Sequence, residues 1–344
     1  LLVQITGNAN SPWSPPLLRS STLHHRAARR AVVALTLFAA IAPPSTFPVA
    51  AAYYNNNMSS SVTRRSSDGT ITVTPRNEAD QSALVVICHG LGDTSEGFVD
   101  VAEHIASQMP HVKFVLPTAP TQPVTMNMGM PMPSWYDIVG LDERSNERCK
   151  GIEESRQRIT TILKKEHEGM GLPYSRMLLA GFSQGGALSL YTGLQLESAE
   201  DKLAGIVVMS GYLAAAKAFK LTPGLESTPI LHCHGTSDPM VLHAMAQKSK
   251  LAITAAGATS YELKSYQGLV HSVNVEEIAD VAKFIAGVLP PDESCKVKLK
   301  DPGDMSVKEL RAAINGAGLG GKAVGLMEKA EFVKLLRDHR DGKL

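Results

Sequence analysis

An α/β fold is predicted for most of this chain, with a mostly parallel sheet and helices on both faces. Three observations carry the prediction. Strand-like and helix-like segments alternate from Ile71 to Leu289. Strand-like segments such as "ALVVICHG" (83–90) are unbroken apolar runs, as strands covered on both faces require. No linker-like stretch interrupts these roughly 220 residues, which suits one domain at 68–290.

The elements follow in order. After the 83–90 strand, "SEGFVDVAEHIASQ" (95–108) places Phe98, Val101, Ala102 and Ile105 at helical spacing. "VKFVLP" (112–117) reads as a strand, and "PVTMNMGMPMPSWYDI" (123–138) interrupts the alternation. A helix over 151–168 turns Ile152, Ile159, Ile162 and Leu163 toward the core. Strand 176–181, helix 184–195, strands 203–211 and 229–235, helix 242–257, strand 259–266 and helix 275–289 complete the pattern. A Pro-containing linker at 291–303 then leads to a small helical hairpin at 304–344. Its first helix opens with a capping box, Ser306 and Glu309, and carries Val307, Leu310 and Ile314. Its second presents Phe332, Leu335 and Leu336.

The 344 residues carry 34 Lys and Arg against 33 Asp and Glu, a net charge of +1. That balance gives no footprint for nucleic acid or an anionic surface. Four cysteines (Cys88, Cys149, Cys233, Cys295) are too few and too scattered for a disulfide framework. No apolar run reaches the roughly 18 residues of a membrane-spanning helix. Residues 1–67 differ from the rest, with six arginines, no lysine and no Asp or Glu. There "HHRAARR" precedes the apolar run "AVVALTLFAAIA" (31–42), and "AAA" follows at 50–52. One reading is a targeting segment, either a signal peptide or an Arg-rich organelle presequence. The other starts translation at Met58, the first methionine, and leaves the segment out of the protein.

The chemistry begins at "RMLLAGFSQGGALSLY" (176–191). Gly181-Phe182-Ser183-Gln184-Gly185 fits the G-x-S-x-G nucleophile elbow, with a strand before it and a helix after it. The turn is sharp, so its flanking positions must lack bulk, and the serine points into the cleft at the strands' carboxyl ends. The helix from Gln184 aims free N–H groups at the same spot. The plainer reading is a helix start capped by a serine. A serine hydroxyl needs a base, and for this elbow the chain order is Ser, acid, His. Asp238 in "PILHCHGTSDPMV" follows a strand and supplies the acid, and His271 in "YQGLVHSVNVEE" supplies the base. The oxyanion requires two backbone donors. These are assigned to Gln184, directly after the nucleophile, and to Leu91 in "HGLGDT" (89–94). His89 and Asp93 are read as holding that loop in shape. His232 and His234 alternate onto one strand face, a metal-like pairing without a third ligand, and are read as packed or turn-stabilising. His243 reads as surface.

Six blocks in this order, "VICHGLGDT", "PTAP", "MPSWYDI", "AGFSQGGALSLY", "HGTSDPMV" and "YQGLVHS", resemble the acyl-protein thioesterase and lysophospholipase family of α/β-hydrolases. The resemblance covers about residues 70–290. It implies the α/β-hydrolase fold and hydrolysis of long-chain thioesters on cysteine, such as palmitoyl-protein, or of lysophospholipids and small esters. It implies a triad of Ser183, Asp238 and His271 with oxyanion donors at Leu91 and Gln184, and neither a metal nor an organic cofactor. The partners it implies are S-acylated proteins or lysophospholipids, with transient membrane-surface contact. With a start at Met58 it implies the cytoplasm; the targeting reading implies secretory or organelle import instead. A lysophospholipase or general carboxylesterase is the alternative within the class. A catalytically silent acyl- or partner-binding protein is the alternative outside it, and the complete Ser/Asp/His set weighs against that.

Met126, Met128, Met130, Met132 and Trp135 are expected to line an acyl groove, since unbranched thioethers adapt to a flexible chain. The plainer reading is a core-capping loop. The extra "MGMP" departs from the family pattern and bears on chain-length preference. "GAGLGGKA" (316–323) matches a phosphate loop by spacing, but a helix precedes it and Ala323 follows the lysine, which speaks against nucleotide binding. The 304–344 hairpin resembles SAP-like modules. Residues 301–344 hold eight Lys and Arg against seven Asp and Glu, which speaks against nucleic acid and for a protein partner.

Overall fold

The computed structural model describes residues 60–142 and 148–344. Of the segment 1–67 that carries the targeting reading, residues 1–59 lie outside them. In chain order the strands are β1 (Ser61–Arg65), β2 (Ile71–Pro75), β3 (Ala83–Cys88), β4 (Val112–Leu116), β5 (Thr121–Val124), β6 (Met130–Pro133), β7 (Met177–Phe182), β8 (Gly205–Met209), β9 (Ile230–Gly235) and β10 (Tyr261–Tyr266). The helices are α1 (Val99–Gln108), α2 (Ile152–Met170), α3 (Gln184–Gly193), α4 (His243–Ala255), α5 (Val275–Val288), α6 (Val307–Gly316) and α7 (Lys329–Arg340).

Eight strands form one sheet in the order β1-β2-β4-β3-β7-β8-β9-β10. From β4 to β10 neighbours run parallel, while β1 and β2 add an antiparallel edge. Every residue of β3, β8 and β9 is buried, which is why these strands read as continuous apolar runs. One face packs α1 and α5, through Ile105, Val281 and Ile285, on Val85, Leu178, Val207 and Leu231. The other packs α2 and α3, through Ile159, Leu163 and Leu188, on Leu84, Val86 and Leu179. There α4 adds Ile253 over Ile206, Val208 and Ile230. Each such side chain contributes about 1.5–3 kcal/mol by leaving water. The elbow between β7 and α3 therefore falls at the middle of the sheet, with helices walling both sides.

The structure departs from the sequence reading in four places. β1 lies inside the segment set apart as foreign, because Ser61–Arg65 pairs antiparallel with β2. The folded domain thus begins before residue 68. The interruption at 123–138 contains a two-stranded hairpin, β5 with β6, whose prolines at 123, 131 and 133 mark an edge ribbon. The stretch 291–303 is not a free linker: Val297 N donates to Gln81 O at 2.9 Å, Lys298 N donates to Met170 O at 2.8 Å, and Val297 is buried. Finally, α6 and α7 enclose their own small core, with Leu310, Ile314, Phe332 and Leu336 buried, but the pair does not stand apart. Asn77 Nδ2 donates to Arg340 O at 2.8 Å, and His339 Nε2 lies 3.0 Å from Arg76 O.

One buried carboxyl makes stability depend on pH. Glu277, in the first turn of α5, is wholly enclosed, and neither of its oxygens makes a hydrogen bond among the described residues. Burial pushes its carboxyl up to about 8, and the nearby Asp280 carboxylate adds to the rise. A folded-state value above the unfolded one means that stability is fully present below about 4.5 and lost as pH rises through about 8. Glu277→Gln, which cannot ionise, is expected to flatten the fall in unfolding free energy between pH 6 and pH 9. Urea titrations at both pH values check this; an unchanged fall in the variant would assign it to other groups.

Candidate active site

Ser183 joins β7 to α3 with φ 53° and ψ −118°. This backbone conformation costs a residue with a Cβ about 1–3 kcal/mol and survives only where the surroundings over-determine it. They do so here. Ser183 N donates to Met209 O on β8 at 2.8 Å, and Ala187 N closes the first helical turn on Ser183 O at 3.0 Å. The flanking glycines are required for closeness rather than for unusual dihedrals. A Cβ on Gly185 would lie 2.1 Å from the Cys88 carbonyl oxygen, and one on Gly181 would lie 2.3 Å from Gly185. The helix start is thus pressed against both β3 and β7, and the serine is thrown outward.

Two loops at the same end of the sheet bring the other groups. His271, after β10, has Nε2 2.9 Å from Ser183 Oγ and Nδ1 2.7 Å from Asp238 Oδ2. The Phe182 ring packs against it with centroids 4.9 Å apart. Asp238, after β9, is buried, and its Oδ1 accepts Met240 N at 2.8 Å and Val241 N at 2.9 Å. Burial alone raises its carboxyl. Hydrogen bonds from His234, His271 and the Val241 amide outweigh that and hold it well below the usual carboxylate range. An ionised Asp238 favours the Nδ1–H tautomer of His271, leaving Nε2 as acceptor for the serine hydroxyl.

The loop after β3 stands beside Ser183. A Cβ on Gly90 would lie 3.6 Å from Ser183 Cβ, so Leu91 is one residue from that contact. The loop is pinned on both sides: Gly92 N donates to Pro133 O at 2.9 Å, and Asp93 N donates to Gly90 O at 3.2 Å. Within it, His89 is buried, with Nδ1 2.7 Å from Gly90 O and Nε2 accepting Ala119 N at 2.9 Å. Burial pushes His89 down, so it stays neutral and serves as a brace. Asp93 accepts its neighbour Thr94 N.

The sequence reading used only the backbone of Gln184, but its side chain is equally engaged. Oε1 accepts Trp135 N at 3.0 Å, while Nε2 donates to Ser134 Oγ at 3.0 Å and to Tyr136 O at 2.7 Å. Trp135 Nε1 in turn donates to His89 O at 2.9 Å. The segment 134–136 therefore ties the helix that follows Ser183 to the loop that carries Leu91. The available signal was a lone glutamine opening a helix of small and apolar residues.

This corrects one expectation. Trp135 is wholly buried, with its indole N–H committed to the loop brace, and does not line an open groove. The methionines divide. Met126 packs half-buried on the core, and Met132 Sδ sits 3.6 Å from where a Gly92 Cβ would be. Met128 and Met130 are 70% and 46% exposed. His232 and His234 are buried with rings in contact, and among the described residues no group of three His, Cys, Asp or Glu side chains is arranged for a metal ion.

A twisted parallel sheet with a strained serine between a central strand and its helix defines the α/β-hydrolase class. The profile of the phospholipase/carboxylesterase family matches residues 70–289. The chain belongs to that family and is an ester and thioester hydrolase. It is 38% identical to acyl-protein thioesterase 1 of Mycosarcoma maydis, over 64% of this chain and 97% of that one. It is 40% identical to acyl-protein thioesterase 1 homolog 1 of Dictyostelium discoideum, over 61% of this chain and 92% of that one. Among solved structures, acyl-protein thioesterase 2 of Zea mays superposes with a TM-score of 0.55 at 28% identity, over 64% of this chain and 98% of that one.

The close approach at Gly185 generates a test. Gly185→Ala forces the elbow off Cys88, which is expected to cost about 1–3 kcal/mol of stability and about 100-fold or more in ester turnover. Denaturant titration and turnover on a short ester measure the two. Full activity in the variant would mean the approach is not required.

Proposed function

We propose that this chain removes long-chain acyl groups from cysteines of S-acylated proteins, with Ser183 as nucleophile, His271 as base and Asp238 as its orienting acid. The observation that carries this is the unbroken hydrogen-bonded line from Ser183 Oγ through His271 to a buried Asp238. The names of the thioesterase relatives support the substrate class. His271 Nε2 takes the proton from Ser183 Oγ as the oxygen attacks the thioester carbonyl. The amides of Leu91 and Gln184 receive the oxyanion. Collapse of the intermediate expels the cysteine sulfur, which takes the proton from His271 and leaves as a thiol. A water then gives its proton to His271 and attacks the acyl-serine, releasing the fatty acid and regenerating Ser183.

Met132 beside the Gly92 loop, with Met128 and Met130 beyond it, is the proposed path of the acyl chain. Exposed Met128, Met130, Val139 and Leu141 suit brief contact with a membrane surface. The α6–α7 pair, with Val324 and Met327 exposed, is read as a protein-docking module.

A fluorophosphonate probe is expected to label Ser183 in the folded protein, and absence of labelling would sink the serine mechanism. Ser183→Ala, His271→Ala and Asp238→Ala should each lower turnover by several orders of magnitude without adding up, because the three act as a unit. An Asp238→Ala variant within a few fold of the parent would show the acid to be misassigned. For the chain path, Met128→Asp with Met130→Asp should depress palmitoyl-cysteine peptide turnover and leave acetyl-ester turnover nearly intact. Each buried substrate methylene is worth about 0.8 kcal/mol, so a long chain draws on the groove and an acetyl group does not. Equal losses on both substrates would refute the groove. Lysophospholipid turned over faster than the peptide would favour the lipid as substrate.

A further inference from the structure

A buried polar column stands behind Asp238 and takes no part in the steps above. It runs along β9, where His232 and His234 point to one face of the sheet, both wholly buried. His232 Nδ1 lies 2.7 Å from the Tyr261 hydroxyl on β10. His232 Nε2 lies 3.4 Å from His234 Nδ1. His234 Nε2 lies 2.7 Å from the Val241 carbonyl oxygen and 3.4 Å from Asp238 Oδ2, the oxygen that also faces His271.

The acceptors assign a proton. Carbonyl and carboxylate oxygens donate nothing, so His234 Nε2 carries hydrogen and donates to them. Burial pushes the His232 ring down to about 3, with His234 and His243 adding to the effect, so His232 is neutral and serves as a hydrogen-bonding spacer. The remaining β9 side chains, Ile230, Leu231 and Cys233, are apolar or thiol, and aliphatic residues would fill this face without any need for partners. Two buried imidazoles in line with a catalytic carboxylate therefore require an account.

We propose that His234 is a positioning residue for the reaction centre: its Nε2–H ties the Val241 carbonyl to Asp238 and fixes the turn that aims Oδ2 at His271, while His232 and Tyr261 hold its ring in place. The proposal rests on the hydrolase reading above. The turn is closed from both sides, since Asp238 Oδ1 accepts the amides of residues 240 and 241 while His234 Nε2–H donates to the carbonyl oxygen of 241. The titratable groups facing His234 are Asp238 from its loop, with His271 on the far side of that carboxylate, His232 from its own strand, and His243 from α4 at 5.8 Å between ring centroids. Tyr261 lies one step further, beyond His232.

The test compares two amides. In His234→Gln the side-chain nitrogen reaches the place of Nε2; in His234→Asn it stops near Nδ1 and leaves Val241 O and Asp238 unserved. Short-ester turnover is measured against pH for both, with fluorophosphonate labelling and turnover of the parent protein established first. The Gln variant should keep most of the turnover. The Asn variant should lose kcat about 10- to 100-fold with little change in KM. Its acid limb of kcat/KM should move to higher pH, because a carboxylate that has lost a donor attracts a cationic partner more strongly. Equal kcat and equal acid limbs in the two variants would overturn the proposal. If the Asn variant does not fold, Tyr261→Phe decides. Loss of that single hydroxyl should shift the limb in the same direction by less, and an unmoved limb overturns the proposal. A parent protein with neither labelling nor turnover would instead overturn the hydrolase reading itself, a failure distinguishable from this one.

Discussion

The unfavourable backbone of Ser183 is the constraint on which the rest of the site depends. A serine at φ 53° is not held by its own preferences. It is held because α3 is pressed into the notch between β3 and β7, so tightly that residue 185 can carry no side chain. That pressure comes from burial on both faces of the sheet, where α1 and α5 on one side and α2 and α3 on the other cover the central strands. The hydrophobic core thus supplies the force that keeps the hydroxyl at the cleft. Local sequence supplies only the permission, in the form of two glycines.

Polar groups around the elbow convert this placement into orientation. Gln184 is nearly inaccessible to water, yet its amide group is fully engaged with residues 134–136. A buried amide without partners would cost the fold, whereas here it locks the helix start to the loop of His89 and Leu91. The same economy holds at Asp238, where four donors surround one carboxylate whose burial alone would neutralise it. Low dielectric strengthens each of these bonds and makes each omission expensive. Networks of this kind resist gradual deformation.

The segments outside the family match are attached to one region of the domain. β1 extends the sheet beyond β2, and its outer charges, Arg64 toward Glu78 and Arg65 toward Glu96, suit an edge that must not recruit another strand. Residues 297–298 bind back to Gln81 and Met170, and α7 reaches residues 76 and 77. Beneath them Lys113 pairs with Glu166, which also accepts from Gln81, so the attachment sits over a buried ion pair. The additions brace the end of the sheet carrying β1, β2 and β4, at a distance of several strands from β9 and β10, which lead to Asp238 and His271.

By itself the sequence determined the alternation of elements and the sheet's parallel character, and it singled out Ser183, Asp238 and His271 as the proposed triad. These are local signals: apolar period, glycine spacing, and residue type at strand ends. The capping box at Ser306 and Glu309 was legible for the same reason, since both partners lie within one turn. Only tertiary structure decided the rest. β1 is short and polar enough to look like a leader, and becomes a strand because β2 offers it a ladder. Trp135 looked like a groove wall and is a buried brace, because its indole meets a carbonyl 46 residues away. The His232–His234 pair read as packed or turn-stabilising, and its position behind Asp238 exists only once β9, β10 and their loops converge. Hydrogen bonds between groups far apart in the chain leave no periodic trace, so no window of sequence contains them.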